Sequence, residues 1–372
     1  MSVTADEEDG SGPVPGERLL HSWRAWLPFA AVIVVLLVGA SVVVSLNTGG
    51  SAPQSESCPP AGDWPAVGTG PPGFTDDNVS VFVGGDLSTE RAATASEGLA
   101  VVLGDVSLAT AGGAGVTVVG STAVGSGVSP SPGTTMLAIG GSLSIGRDAA
   151  LELGHGVRGG GNLVVGGEVA PGVSVTTNGG AVHERAGASA VGEFRRFGER
   201  IADQARVLAG LAPTGTVTLA GRSLYFAGDG RALRQVFVVD APVIGRARLI
   251  DFSGIPDAAT IVVTVRGEQV GIGTGQVQDK GVRVAPGPGA ARLATQTLWN
   301  FVDARAVSIM GTAPMLGSLV APQGRVALGI PTLGRVYAAG DLSLSGDAVP
   351  HYNYAWTGSA AFTCQPVRES VQ

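Results

Sequence analysis

Several residue types are scarce in this chain of 372 residues, and each scarcity argues against a class of protein. Aromatic residues make up only 5% of the chain and charged residues 14%, whereas a large globular core would contain more aromatic bulk. The formal net charge is −7, so the sequence offers no basic surface. We therefore expect no nucleic-acid partner.

The motifs of cofactor-dependent and nucleophilic enzymes are also lacking. No G-x-S-x-G, P-loop or strand-to-helix G-x-G-x-x-G is present, and these are the phrases that mark a nucleophile or a phosphate site. The histidines are too far apart for a zinc site, which needs three or four converging ligands. They are His21, His155, His183 and His351. We expect no catalytic residue, no cofactor and no metal, and hence no enzyme.

Glycine and small apolar residues are abundant instead. The chain has 59 glycines and is 44% hydrophobic. Glycine this dense without a strict G-X-Y period excludes collagen, and the hydrophobic content argues against disorder. Small side chains with many Val and Leu suit tightly stacked β-coils, whose layers lie about 4.8 Å apart.

A short apolar strand followed by a Gly turn recurs along the chain. Instances are Val79–Leu87, Leu99–Leu108, Leu137–Ile145, Asn162–Val169 and Ala338–Leu344. We interpret the repeat as a β-solenoid with inward Val, Leu or Ile and outward Ser, Thr or Asp. The spacing is uneven, so a β-sandwich stays open as the alternative.

The outward positions suggest two kinds of ligand, neither strongly. Asp86, Asp105 and Asp341 each follow a strand-ending Gly. If the coils are in register, these side chains form a ladder that could bind Ca²⁺, although plain turn residues are favoured. Ice binding would require regular Thr-x-Thr rows. The threonines Thr117, Thr122, Thr176 and Thr177 do not repeat in that way.

One amphipathic helix interrupts this β pattern. Over Val191–Leu211 the apolar residues are spaced by three or four positions, which is the helical period. They are Phe194, Phe197, Ile201, Ala205 and Leu208. We expect one long helix whose stripe, including both phenylalanines, is buried against the β-coils.

The N-terminal part predicts a membrane anchor. Residues 26–46 are 21 residues without a charge, about 31 Å of helix, which is enough to cross a bilayer. Residues 1–25 form a polar tail, 47–72 a Gly/Ser/Pro linker, 73–360 the β domain and 361–372 a C-terminal tail. Arg18 and Arg24 precede the apolar segment, so the N-terminus should be cytoplasmic and the β domain extracellular at the plasma membrane. A cleaved signal peptide is the alternative.

The end of the chain carries a series of recognisable phrases. A Trp-Asn-Phe phrase is followed by an Ala-Pro turn and a His-aromatic-Asn ending. The residues are Trp299, Asn300, Phe301, Ala321, Pro322, His351, Tyr352 and Asn353. Together with the opening NVSVFVGGDLS, they resemble the choice-of-anchor A domain of bacterial surface proteins. The order of coils, helix and more coils looks more distantly like the ice-binding solenoids.

The resemblance implies a surface-displayed domain for adhesion or cell-envelope interaction, with no catalysis. The partner is then an extracellular or cell-envelope protein or glycan. A polysaccharide-active β-helix enzyme and an ice- or surface-binding solenoid are the alternatives. An enzyme should show a cleft where three or more charged side chains converge, and an adhesin a flat or shallow face without one.

The two cysteines, Cys58 and Cys364, lie just outside the two ends of the β domain. Disulfides persist in an extracellular compartment, so we expect the pair to be bonded. The closing strand AAGDLSL copies the opening VGGDLS unit. We therefore expect late coils to return beside early ones, which would bring the two ends of the domain together.

Overall fold

A computed structural model describes residues 78–90, 94–109, 115–121, 125–126, 128, 130–285, 288–346 and 349–358. The predicted cytoplasmic tail, apolar segment, linker and C-terminal tail lie outside the described residues, as do Cys58 and Cys364. Within the described residues, no helix combines the length and apolar character that crossing a membrane requires.

Most of the described chain is short strands. The strands of the first half are β1 (Val79–Val83), β2 (Leu87–Thr89), β3 (Ala95–Ser96), β4 (Leu99–Val102), β5 (Val106–Leu108), β6 (Gly115–Val119), β7 (Thr135–Ile139), β8 (Leu143–Ile145), β9 (Ala149–Leu153), β10 (Asn162–Val165), β11 (Ser174–Thr176) and β12 (Val182–His183). A 3-10 helix (Gly187–Phe194) and helix α1 (Phe197–Ala209) follow.

The second half begins with β13 (Thr216–Ala220), β14 (Ser223–Ala227), β15 (Arg234–Asp240), α2 (Ala241–Ile244), β16 (Leu249–Ser253), β17 (Thr260–Arg266), β18 (Gln269–Thr274), β19 (Gln276–Asp279), β20 (Val282–Arg283) and α3 (Pro288–Gln296). It continues with β21 (Thr297–Asn300), β22 (Ala306–Gly311), β23 (Met315–Leu316), β24 (Ser318–Ala321), β25 (Arg325–Leu328), β26 (Thr332–Leu333), β27 (Val336–Ala338), β28 (Leu342–Leu344) and β29 (His351–Tyr352).

These strands form three long parallel sheets and one smaller sheet. Sheet A has the order β12-β10-β7-β4-β1-β27-β24-β21-β17-β15. Sheet B is β18-β22-β25-β28-β2-β5-β8, and sheet C is β11-β9-β6-β3-β29-β26-β23. Sheet D is β13-β14-β16-β19-β20, with an antiparallel pair at each end. From β1 to β9 and again from β21 to β29, successive strands fall in A, B and C in turn, so the fold is β-solenoid-like, as the repeat predicts.

The chain enters this stack in the middle. From β1 the coils proceed to β12 at one end, the segment with α1 follows, and β13–β17 build the other end. The remaining coils return until β27 pairs with β1, with Val336 opposite Val81. The same junction pairs β28 with β2, with Ser343 opposite Ser88. The prediction that late coils return beside early ones is confirmed. We call this junction of first and last coils the seam.

The middle strands of sheet A, β4, β1, β27, β24 and β21, are buried on both faces. Val81 and Val83 face the interior of the solenoid, whereas Phe82 packs on the outer side in a cluster with α1. The predicted outward polar residues are therefore wrong for sheet A, where the buried run VSVFV has no exposed face. The prediction holds for sheet B, where the central Ser107 of β5 is exposed between buried neighbours.

The helical segment packs along sheet A as predicted, but its first turns differ. The α-helix begins at Phe197, six residues later than Val191, and a 3-10 helix precedes it. Val191 itself departs from helical geometry, with a φ of −129°. The buried stripe is thus Phe197, Ile201, Ala205 and Leu208, and Phe194 is only partly buried.

We expect Phe197→Ala to lower the free energy of unfolding by about 3–5 kcal/mol, because the ring packs between Phe82 at 4.9 Å and Tyr337 at 5.3 Å. Phe194→Ala should lower the free energy of unfolding by less, because Phe194 is only partly buried. Arg195→Ala should change it by less than about 0.5 kcal/mol, because Arg195 is exposed. Urea unfolding of the three variants measures this. Equal losses for Phe197→Ala and Arg195→Ala would show that the stripe is misassigned.

Candidate functional site

The Trp-Asn-Phe motif connects strand β21 to its surroundings, including helix α1 on the outside of the solenoid. The indole Nε1 of Trp299 donates to the backbone oxygen of Leu316 at 2.8 Å, and its ring packs near Phe226 and Phe252. Asn300 Nδ2 donates to the backbone oxygen of Ala205 in α1 at 2.8 Å. Phe301, Ala321 and Pro322 are buried. These residues are structural supports, and Asn300 ties the helix to sheet A.

The His-aromatic-Asn ending lies at the seam. His351 Nε2 is 2.9 Å from Ser80 Oγ of the first coil, and Nδ1 is 2.8 Å from Thr332 Oγ1. Burial, with nearby Arg335 adding to it, lowers the pKa of His351 to about 3. The ring is therefore neutral at physiological pH, and its two nitrogens bridge two coils by hydrogen bonds. Tyr352, half-buried, stacks on Tyr354 with ring centroids 6.3 Å apart.

Two buried charges beside this histidine were not predicted. Asn353 accepts a hydrogen bond from Arg335 Nε at 3.1 Å, and its backbone N–H donates to Glu97 Oε2 at 3.0 Å. Glu97 also accepts from the backbone N–H groups of Gly125 and Ser126. A Cβ at Gly98 would lie 2.6 Å from Asn353 Nδ2, so only glycine fits there. Nothing in the local sequence distinguishes Glu97 and Arg335 from other charged residues near strands and turns, so their burial could not be predicted.

The coils are in register and the aspartates form a ladder, in which they act as turn residues, the favoured of the two alternatives. Asp341 Oδ1 accepts from the backbone N–H of Asp86 at 3.0 Å, and Asp86 Oδ1 from that of Asp105 at 2.8 Å. Asp105 Oδ1 in turn accepts from Ser142 N–H at 2.7 Å. Across the described ranges, no three His, Cys, Asp or Glu side chains converge as a metal site. The ladder thus links successive turns.

The outer face of sheet B carries a continuous row of small side chains. Each member is opposite the next one across the sheet. In spatial order they are Gly271, Ser308, Ala327, Ser343, Ser88, Ser107 and Ser144. All are exposed or half-exposed. Because neighbouring strands lie about 4.8 Å apart, the row is regularly spaced.

A shallow trough of about 560 Å³ lies over part of this row. Its floor is formed by Gly271, Ser308, Ala327, Ser343 and Ser88, and its sides include Gln269, Ala306, Arg325 and Asp341. Among the described residues that line it, Arg325 and Asp341 carry a charge and none is aromatic. A smaller cavity of about 60 Å³ inside the solenoid is lined mostly by apolar side chains such as Val81 and Leu342, and belongs to the core.

Comparison with known families identifies the domain. The family described as "Putative Ice-binding-like adhesive domain" matches residues 78–348. The chain belongs to this family. No curated protein matches the chain. The crystal structure of an ice binding protein from an Antarctic biological consortium is similar at 12% identity, over 74% of this chain and 88% of that one. Its TM-score of 0.27 is too low for the likeness to support a fold or a function.

The candidate residues from the sequence do not form the exposed face of this adhesive domain. The Trp-Asn-Phe and His-aromatic-Asn residues hold coils together and do not line the trough. His155 lies 2.9 Å from Glu152 on the surface, and His183 is exposed on β12. The serine row was not predicted, because a regular row was expected only of threonine. Its signal was present as the central Ser of the phrases GDLST, GDVSL, GSLSI and GDLSL.

The buried histidine makes the stability of the domain pH-dependent. The pKa of His351 is lowered in the folded state to about 3, against about 6.5 in the unfolded chain. The unfolded state therefore takes up a proton first, and stability present above pH 6.5 is lost as the pH falls towards 3. The free energy of unfolding should decrease by up to about 1.4 kcal/mol per pH unit from this group.

The measurement is urea unfolding between pH 7 and 5.5, where ordinary carboxylates, with pKa values near 4, stay largely ionised. His351→Gln should flatten the dependence, whereas the exposed His183→Gln should leave the wild-type slope. If wild type and His351→Gln give parallel curves, the lowered pKa of His351 is wrong.

Proposed function

We propose that this chain is a membrane-anchored bacterial cell-surface protein whose adhesive domain binds its ligand, without catalysis, in the trough of sheet B. The observation that carries the proposal is the in-register row of small side chains. A row of this kind leaves a broad, accessible surface of hydroxyl groups and backbone on a rigid parallel sheet. Binding sites are more accurately held on regular strands than on loops.

Binding is favoured over catalysis by the groups that line the trough. Glycoside hydrolysis uses a pair of carboxylates on either side of the scissile bond, and the trough is lined by one carboxylate, Asp341. Its Oδ1 is engaged by the N–H of Asp86. The shallow face matches the criterion for an adhesin better than the charged cleft expected of a polysaccharide-active enzyme. The family description as an adhesive domain supports the same choice.

The anchor completes the proposal. Residues 26–46 would cross the plasma membrane, with the N-terminus cytoplasmic and the adhesive domain extracellular, as Arg18 and Arg24 suggest. A disulfide between Cys58 and Cys364 and kinship with the choice-of-anchor A domain belong to the same proposal. The partner is then an extracellular or cell-envelope protein or glycan.

Protease added to intact cells tests this topology. An epitope tag after Gln372 should be digested, because it lies outside the cell. A tag after Ser2 should be protected until the cells are lysed. Protection of the C-terminal tag with digestion of the N-terminal one would reverse the proposed orientation.

The trough is tested with one pair of variants. Ala327→Gln places a larger neutral side chain on the trough floor, and Ser144→Gln places the same side chain in the row beyond it. The full-length chain, in detergent, is incubated with glycans, peptidoglycan, matrix proteins and ice crystals. Ala327→Gln should abolish binding that Ser144→Gln preserves. Binding that survives Ala327→Gln would place the site elsewhere.

Ice or another extended solid surface is the second candidate. The regular spacing of the serine row favours it, as does the family description as ice-binding-like. A solid surface would contact the whole row, so Ser144→Gln and Ala327→Gln should then weaken binding equally. The same pair of variants therefore separates a ligand held in the trough from a surface held along the row.

A further inference from the structure

We infer that the ligand of the trough is a linear polysaccharide bearing carboxylate groups, and that Arg325 binds those carboxylates. This inference rests on the proposed binding role of sheet B and names the class of ligand for that site.

The shape of the trough suits an extended chain. Its floor crosses the five strands that carry Gly271, Ser308, Ala327, Ser343 and Ser88. Four intervals of about 4.8 Å give a floor about 19 Å long. The floor side chains are no larger than serine, so none of them divides it. A linear ligand can therefore lie across the strands for this whole length.

The polar chemistry of the floor suits sugar hydroxyls. Ser308, Ser343 and Ser88 present hydroxyl groups, which donate and accept hydrogen bonds as sugar hydroxyls do. The Gln269 amide at the side also offers both a donor and an acceptor. In the part of the chain that the structure describes, no aromatic or long apolar side chain lines the trough. An apolar peptide would find no deep pocket for its side chains, whereas a hydroxylated chain finds a partner on three of the five floor positions.

Arg325 supplies the charge. Its side chain is exposed beside the floor and forms no hydrogen bond or ion pair with the residues that the structure describes. Some exposed arginines are paired, as Arg185 is with Glu168 and Arg206 with Asp203; Arg325 differs from the remaining exposed arginines in lining the trough. A guanidinium group matches the two oxygens of a carboxylate with two parallel hydrogen bonds. An unpaired guanidinium beside a row of hydroxyls therefore selects an acidic sugar over a neutral one.

The aspartate ladder fixes where those carboxylates lie. Asp341, Asp86 and Asp105 occupy successive turns on the same side of sheet B as Arg325. Like charges repel anionic groups from that part of the face. Asp341 directly precedes β28, the strand next to that of Arg325, so the acidic groups of the ligand should lie over β18, β22 and β25, while the second oxygen of Asp341 accepts from a sugar hydroxyl.

The test measures binding of the full-length chain, in detergent, to immobilised uronate polymers of three linkages: polygalacturonate, alginate and hyaluronan. At least one should bind. Methyl esterification of polygalacturonate removes its charge, and Arg325→Gln removes the cation. Each change should weaken the binding of a carboxylated polymer by at least about tenfold, the value of one charge-assisted contact. Arg206→Gln removes the same charge from α1, beyond the trough, and should have no effect.

Three results would overturn the inference. One is failure of all three uronate polymers to bind, and another is equal binding by Arg325→Gln and Arg206→Gln. The third is equal, Arg325-independent binding of dextran sulfate, which would indicate simple attraction of anions. If another substance in the panel binds and Ala327→Gln abolishes that binding, the proposed function stands and only the ligand class is wrong. If nothing in the panel binds, the proposed function fails as well.

Discussion

The fold depends on the pairing of the first coil with the last. Parallel strands need long connections, and here the chain returns to its starting coil only after building both ends of the stack. All three long sheets cross the seam, through the pairs β1·β27, β2·β28 and β3·β29. A slip of one residue at any of these pairs would turn every side chain to the opposite face. The register of the seam therefore sets the register of both halves.

Buried polar groups are concentrated where that register must be fixed. His351 bridges Ser80 and Thr332, and Asn353 lies between Glu97 and Arg335. Burying such groups is costly unless each is hydrogen-bonded. A displaced strand would separate them from these partners. The closing motif is thus explained by the return of the chain to its first coil.

The strand-turn repeat and the return of the late coils to the early ones could be predicted, because short sequence motifs indicate both. The GDLS-type phrase specifies a strand, a glycine turn and a second strand, and the copy at Ala338–Leu344 indicated which coils meet. The start of the helix could not be predicted, because the spacing of apolar residues continues through Val191, where the backbone departs from helical geometry. Glu97 and Arg335 were missed because their partners lie far away in the sequence. The trough emerges only when five strands that are distant in sequence are aligned.

The position of the trough has a mechanical consequence. Its floor includes Ser343 on β28 and Ser88 on β2, so it spans the seam. A ligand lying across these two serines would hold one coil from each half of the domain. Tension on that ligand would be shared by both halves. The bound chain would also hold the seam together, where neighbouring coils are not consecutive in the sequence and are joined by strand pairing.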